Sequence, residues 1–369
     1  MKPGSYFPAL TGLRAVAAYC VFFFHFPPVE ASGSGLGQLL HALCREGHLG
    51  VSIFFTLSGF LICQRYYHVE FTRRQLLAYA RRRWARIYPV FFLVTTLTFL
   101  LNKLYAADNG LWLYIANITL LKGFSDGLAF TGIVQTWSLT VEECFYLLAP
   151  LLFWLGRRYS PRVWAGCGAA LLLAGFVAYT WTGTGWELNF AQAHFMLIAT
   201  LFGRSSEFLL GAAFALATPA EAVTQRATRA GSLLVLLALA ALTGIQLYSG
   251  KVSIDTAGGV VVNNLLLPLG TGLLLSGLAS EQTLLRRALS TAPLQVLGRA
   301  SYCFYLLHMG VWHDQLLRWL PAGLPGLLRF GLVWLLTVAL SVGLYYLVEK
   351  PVHGFLLRST TRRQQPQPA

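Results

Sequence analysis

The sequence predicts an all-α integral membrane protein of about ten transmembrane helices, with both termini on the cytoplasmic side. Three observations carry this reading. Of 369 residues, 56% are hydrophobic and only 11% charged, where soluble domains carry about 25%. So little charge cannot clothe a surface exposed to water, which excludes an ordinary soluble enzyme, and so apolar a chain is not disordered. Apolar stretches of about 20 residues, the length a bilayer core demands, recur along the chain. Finally, the net charge of +14, from 28 Lys+Arg against 14 Asp+Glu, falls on alternate connections.

In order, the spans centre on residues 7–27, 49–67, 88–106, 137–156, 163–181, 195–217, 230–248, 259–279, 300–320 and 328–349. The first is interrupted only by Arg14 and His25. The second ends at Arg65, and the third follows the run from Arg73 to Arg86. The fourth opens on Trp137 and closes on Arg157 and Arg158, and Arg162 precedes the fifth. The sixth holds Arg204 and Glu207, and the seventh follows Arg226 and Arg229. Arg286, Arg287 and Arg299 separate the eighth from the ninth, and Lys350 follows the tenth. Leu111 to Leu121 is too short to cross and reads as re-entrant or interfacial.

With the N-terminus inside, Lys2, Arg358, Arg362, Arg363 and the loop cations above are cytoplasmic. The outer side receives Arg45, Lys103, Lys122, Lys251, Arg318 and Arg329. This is the positive-inside bias. An eleventh span at 111–121 would put Arg157, Arg158 and Arg162 outside. The basic balance therefore needs no nucleic-acid partner.

Residues 1–351 read as one membrane domain, and 352–369 as a short basic cytoplasmic tail. Lys2, the apolar run to Phe26 and Val29-Glu30-Ala31 resemble a signal peptide, but a cleaved segment has no use for Arg14 and His25. The six cysteines, Cys20, Cys44, Cys63, Cys144, Cys167 and Cys303, show no CxxC spacing. They read as small packing residues, not as a disulfide framework or a metal site.

Ionisable side chains inside a span cost roughly 2.5–3.5 kcal/mol each and mark function by default. Arg14 and His25 are eleven residues apart, three turns, and so share one helix face. A histidine at the outer mouth suits a general base, and an arginine deeper on that face suits an anionic group. The plain alternative is a snorkelling arginine with an interfacial histidine. Trp137-Ser138-Leu139-Thr140-Val141-Glu142-Glu143-Cys144 brings two carboxylates into a span, either for chemistry or to meet the helix dipole. Arg204 and Glu207, at i,i+3, read as a structural ion pair. His308 lies in Tyr302-Cys303-Phe304-Tyr305-Leu306-Leu307-His308 and reads from spacing alone as a core histidine. Arg81, Arg82, Arg83 and Arg86, beside Trp84 and Tyr88, read as an interfacial amphipathic helix for lipid headgroups or as a phosphate clamp.

These pieces resemble the acyltransferase-3 family of integral-membrane O-acyltransferases in its stand-alone form. Leu10-Thr11-Gly12-Leu13-Arg14 running to His25 is similar to the family's opening helix. In the family's order follow Gly50 to Phe55 with Leu57 to Ile62, Arg83 to Pro89, Trp137 to Tyr146, Arg204 to Gly211, Ser301 to His308, and Glu349-Lys350-Pro351. Thr11 stands where many relatives have Asp.

The resemblance implies transfer of an acyl group, commonly acetyl, from cytosolic acyl-CoA to a hydroxyl of a carbohydrate or glycolipid in a bacterial inner membrane. The acceptors it suggests are O-antigen, exopolysaccharide or similar. It implies His25 as base, with Glu142 or Glu143 orienting or charging it or binding the sugar. Arg14 faces the acyl donor, and Arg81, Arg82, Arg83 and Arg86 hold its phosphates. Trp137, Ser138 and His308 are assigned to substrate, and no metal is implied. A Cys144 acyl-enzyme is the lesser variant. The rival reading from another class is a transporter or flippase of a lipid-linked saccharide.

Overall fold

The computed structural model describes residues 6–30, 34–106, 108–182, 190–222 and 224–361. The helices run in chain order as α1 (Pro8–His25), α2 (Gly35–Arg45), α3 (Leu49–Tyr66), α4 (Arg73–Leu101), α5 (Gly110–Ile118), α6 (Asp126–Ala129) and α7 (Trp137–Arg158). Next come α8 (Val163–Thr182), α9 (Phe190–Ala199), α10 (Leu201–Ala217), α11 (Arg226–Ser249), α12 (Ala257–Val261) and α13 (Leu267–Ser280). The series closes with α14 (Leu284–Leu289), α15 (Ala292–Arg299), α16 (Ser301–Leu307), α17 (Val311–Trp319), α18 (Gly326–Leu344) and α19 (Lys350–Thr361). Two π-helical segments, Val262–Leu266 and Tyr345–Glu349, join α12 to α13 and α18 to α19. Apart from an isolated β-bridge between Ala222 and Glu281, regular structure among the described residues is helical.

Nine stretches among the described residues are long and apolar enough to cross a bilayer, and they coincide with nine of the expected spans. The remaining one, 300–320, is present as two short helices, α16 and α17. The break falls at Gly310, whose φ of +71° and ψ of −145° are open to glycine and end any helix. The basic stretch and the third span, read apart in the sequence, form the single helix α4. It starts at a capping box in which Gln75 N–H donates to Thr72 and Thr72 N–H donates to Gln75. The 111–121 piece is the short helix α5 with the turn after it. Of the expected tail, residues to 361 are helical. Arg362 and Arg363, like Lys2 and Ala31, lie outside the described residues.

The chain divides into two compact units, Met1–His68 with Trp137–Gly298, and Val69–Thr136 with Arg299–Ala369. In the first, α3 is the buried centre, with 89% of its apolar window enclosed against 11% for α8, which leaves α8 a lipid-facing helix. Helices α1 and α3 touch backbone to backbone. A Cβ at Gly47 would lie 2.0 Å from the Cys20 carbonyl oxygen, and one at Gly50 2.2 Å from that of Ala17. Small residues permit this approach, the usual device for helix association in lipid. Because Gly47 meets Cys20 and Gly50 meets Ala17, the two helices are antiparallel. Helix α7 runs parallel to α3: Trp137 packs on Phe55, Glu142 meets Ser58 and Arg157 meets the Tyr67 carbonyl.

In the second unit, α16 and α17 lie along α4. The Tyr302 hydroxyl donates to the Ile87 carbonyl at 2.9 Å, and the Trp312 indole donates to Thr98 at 3.0 Å. The break between α16 and α17 is therefore level with the apolar interior of α4.

Candidate active site

His25 is the last residue of α1 and is half-buried. Its ring meets Phe24 edge-on at 4.7 Å, and Phe24 meets His48 edge-on at 5.6 Å. Arg45 lies 4.9 Å over the Phe24 ring and donates to the Phe24 carbonyl at 3.1 Å. Behind them the buried Glu46 accepts from Ser253 N–H at 3.2 Å, from the Ser253 hydroxyl, and from His48 Nε2 at 2.8 Å. Those contacts satisfy the Glu46 carboxylate and tie the loop ahead of α12 to the turn before α3. Nothing in the sequence distinguished Arg45-Glu46-Gly47-His48 from an ordinary outer loop.

Arg14 is half-buried, three residues before Ala17 on α1. Its eleven-residue separation from His25 is about 16 Å of helix rise on one face.

Glu142 is fixed elsewhere. One of its oxygens accepts from both the Ser58 hydroxyl and the Tyr146 hydroxyl, which are themselves 3.4 Å apart. Ser58 lies eight residues beyond Gly50 on α3, and His25 eight residues beyond Ala17 on α1, in opposite directions from the crossing. At 1.5 Å per residue this separates Ser58 from His25 by about 24 Å along the axes. Glu142 therefore does not orient or charge His25, and Glu143, one residue on, starts from the same depth. By depth Glu142 is nearer Arg14. Trp137 and Ser138 begin α7 at the level of Phe55, whose ring is 6.5 Å from Trp137.

The Arg204–Glu207 pair is structural, as its spacing suggested. Arg204 Nε is 3.0 Å from Glu207, and both side chains are buried. The remaining guanidinium nitrogens donate to Asn264 at 3.0 Å and Ser52 at 3.2 Å. Asn264 donates in turn to the Leu197 and Gly203 carbonyls, both at 3.1 Å. The network ties α3 and α10 to the π-helical segment.

In the second unit, α4 carries the arginine cluster. At 100° per residue Arg82, Arg83 and Arg86 fall within about 100° of arc, whereas Arg81 is about 140° from Arg86. Trp84 and Tyr88 stack at 6.0 Å. Helix α19 packs against α4 and brings His353 within electrostatic reach of Arg83 and Arg86. The planar guanidinium fork suits phosphate, so this face fits a nucleotide phosphate group. His353 went unnoticed in the sequence because it lies far along the chain from the arginines.

His308 is fully buried at the end of α16. Its Nδ1 is 2.8 Å from the Tyr305 carbonyl oxygen, and its ring stacks on Phe304 at 6.0 Å with an interplanar angle of 7°. Gln135 Nε2 donates to the same Tyr305 carbonyl at 2.9 Å and to that of Leu306 at 3.1 Å, while the Tyr305 hydroxyl donates to the Gln135 carbonyl at 3.0 Å. The segment before Gln135 is pinned by Lys122, whose ammonium donates to the carbonyls of Thr131 at 2.6 Å and Ile133 at 2.7 Å. Lys122 is buried, and loss of water lowers its pKa to about 7. The sequence marked it only as an outer-loop cation.

The acyltransferase-domain family Acyl_transf_3 matches residues 7–346. Among curated proteins the chain is similar to acyltransferase MdmB of Streptomyces mycarofaciens, with 27% identity covering 98% of this chain and 95% of MdmB. It is also similar to O-acetyltransferase OatA of Staphylococcus aureus, at 31% identity over 42% of this chain, and the match spans 26% of OatA. No solved structure matches significantly. With the family match running from α1 to the segment after α18, this chain belongs to the acyltransferase-3 family and is a multi-pass membrane O-acyltransferase.

Proposed function

We propose that the protein moves an acyl group, taken to be acetyl, from cytosolic acyl-CoA to a hydroxyl of a carbohydrate or glycolipid such as an O-antigen or exopolysaccharide unit. The observation that carries this is the pairing of Arg14 and His25 on one face of α1, with His25 at the mouth of an otherwise apolar helix. An O-acetyltransferase among the relatives supports the acetyl group and the oxygen acceptor. The loop cations support a cytoplasmic N-terminus in a bacterial inner membrane.

In this reading His25 takes the proton of the acceptor hydroxyl as its oxygen forms the new C–O bond, and the C–S bond of the thioester breaks. The proton then passes to the departing thiolate. Arg14 meets an anionic or oxyanionic group on the same face. Arg82, Arg83 and Arg86 hold the donor's phosphates. Glu142, remote from His25 and fixed by Ser58 and Tyr146, belongs with Trp137 and Ser138 in binding substrate, and His308 is a second substrate contact.

The test is release of free thiol from acetyl-CoA by membrane vesicles that hold the native glycolipids, with mass spectrometry of the glycans. A gain of about 42 mass units per acceptor hydroxyl, the acetyl increment that acyl transfer requires, is expected. Glycolipid translocation without thiol release would establish the flippase instead.

A further inference from the structure

Helix α1 ends against a proline pair. Pro27 and Pro28 follow His25 and Phe26, and Phe26 leaves helical geometry with φ −131° and ψ 75°, as a residue before proline does. The last carbonyls of a helix have no partner within it. That of Phe22 is met by Phe26 N–H at 2.9 Å. The Phe24 carbonyl is denied such a donor, because the residues three and four positions on are Pro27 and Pro28, which carry no N–H. Its hydrogen bond comes instead from α2, where Arg45 donates to it at 3.1 Å.

Arg45 grips Phe24 twice. One guanidinium nitrogen meets the carbonyl while the centre of the fork lies 4.9 Å over the ring, a cation on an aromatic face. That same ring meets His25 and His48 edge-on. One turn earlier on α2, His41 Nδ1 is 2.7 Å from the Val29 carbonyl oxygen. His41 and Arg45, four apart on one helix face, thus hold the chain on both sides of the segment 25–28. Arg45 is itself fixed by the residues after it. Glu46 is bonded to Ser253 and His48, and a Cβ at Gly47 would lie 2.0 Å from the Cys20 carbonyl oxygen on α1.

We propose that Arg45 is a positioning residue for His25: through the carbonyl and ring of Phe24 it fixes the last turn of α1, from which the imidazole projects. Without Arg45 that turn loses the donor the prolines withhold, and His25 is the residue at its end. Arg45 acts on the reaction through Phe24 and His25, with no bond to substrate of its own. The inference rests on the reading of His25 as the base.

Thiol release from acetyl-CoA is measured in membrane vesicles that hold the native glycolipids, for the wild type, Arg45→Lys, Arg45→Met and His25→Ala. Rates are expressed per folded protein, quantified by size-exclusion chromatography after extraction. Arg45→Met keeps an unbranched apolar stem and removes the donor and the charge. It should lower kcat about tenfold with the KM for acetyl-CoA unchanged, the scale of a small misplacement of a reacting group. Arg45→Lys, which retains a cation and an N–H for the Phe24 carbonyl, should recover most of that loss.

A raised KM with unchanged kcat would make Arg45 a contact of the acyl donor and overturn the proposal. So would a loss confined to the yield of folded Arg45→Met with wild-type kcat per molecule, which is what a purely structural cap predicts. Arg45→Lys no better than Arg45→Met would also count against it, since donor and charge would then not be what matters. If the wild type released no thiol, or His25→Ala turned over as the wild type does, the function or the base proposed above would fall. Wild-type kinetics of Arg45→Met where His25→Ala is inactive would defeat only the present inference.

Discussion

Glu142 is hydrogen-bonded to Ser58 across two parallel helices, at a depth about 24 Å along the helix axes from His25. The carboxylate that the family resemblance sets beside the base of α1 is thus held in another part of the bundle. Ser58→Ala and Glu142→Gln should accordingly be coupled to each other in thermal stability, by about 0.5–1.5 kcal/mol for a hydrogen bond between membrane helices. A double-mutant cycle that closes additively would show the bond to be without energetic weight.

His25→Ala should abolish acyl transfer while the protein remains inserted and elutes as the wild type does. Glu142→Gln, acting at a distance, should lower activity without abolishing it. Thiol release from acetyl-CoA measures both, and wild-type turnover by His25→Ala would remove the assigned base.

The arginines of α4 should divide by helix face. Arg83→Ala and Arg86→Ala are expected to raise the KM for acetyl-CoA several-fold with little change in kcat, as loss of uniform binding does. Arg81→Ala, about 140° around the helix from Arg86, should leave KM nearly unchanged. Equal effects at all three positions would point to a diffuse headgroup contact instead of a clamp.

Lys122 makes stability depend on pH with a definite sign. Its pKa falls from 10.5 to about 7 on folding. Between those values the unfolded chain binds a proton that the folded one does not, so stability rises with pH from about 7 towards 10.5 and is flat in this respect below 7. The neutral amine still has two N–H groups for the carbonyls of Thr131 and Ile133. Melting temperatures of the wild type relative to Lys122→Met should therefore increase between pH 7 and 9.5. A constant difference would refute the buried-lysine account.

Arg204→Ala should destabilise the protein by about 3–5 kcal/mol, because it leaves the buried Glu207 without its cation. Glu207→Gln should cost less, since Arg204 keeps Asn264 and Ser52. Chemical denaturation in detergent compares the two, and a reversed order would contradict this assignment of the network.

Much of this was legible in the amino-acid order. Span length and the shared face of Arg14 and His25 follow from the thickness of a bilayer and 3.6 residues per turn. The Arg204–Glu207 pair was legible for the same reason, its partners being one turn apart. Gln135, Ser58, Asn264 and His353 were not. Three of these are neutral polar residues, which carry no charge signal in an apolar run, and their partners lie far along the chain.

The sequence by itself determined the membrane class, the places where helices cross and the residues too polar to be there by chance, because each follows from local composition against a bilayer of known thickness. Only the tertiary structure decided which of those residues meet. The register of α1 on α3 separates Glu142 from His25, and the positive φ of Gly310 ends α16 beside a buried histidine. Both depend on backbone approaching backbone to within van der Waals contact, which is set by the packing of distant segments and leaves no trace in hydropathy.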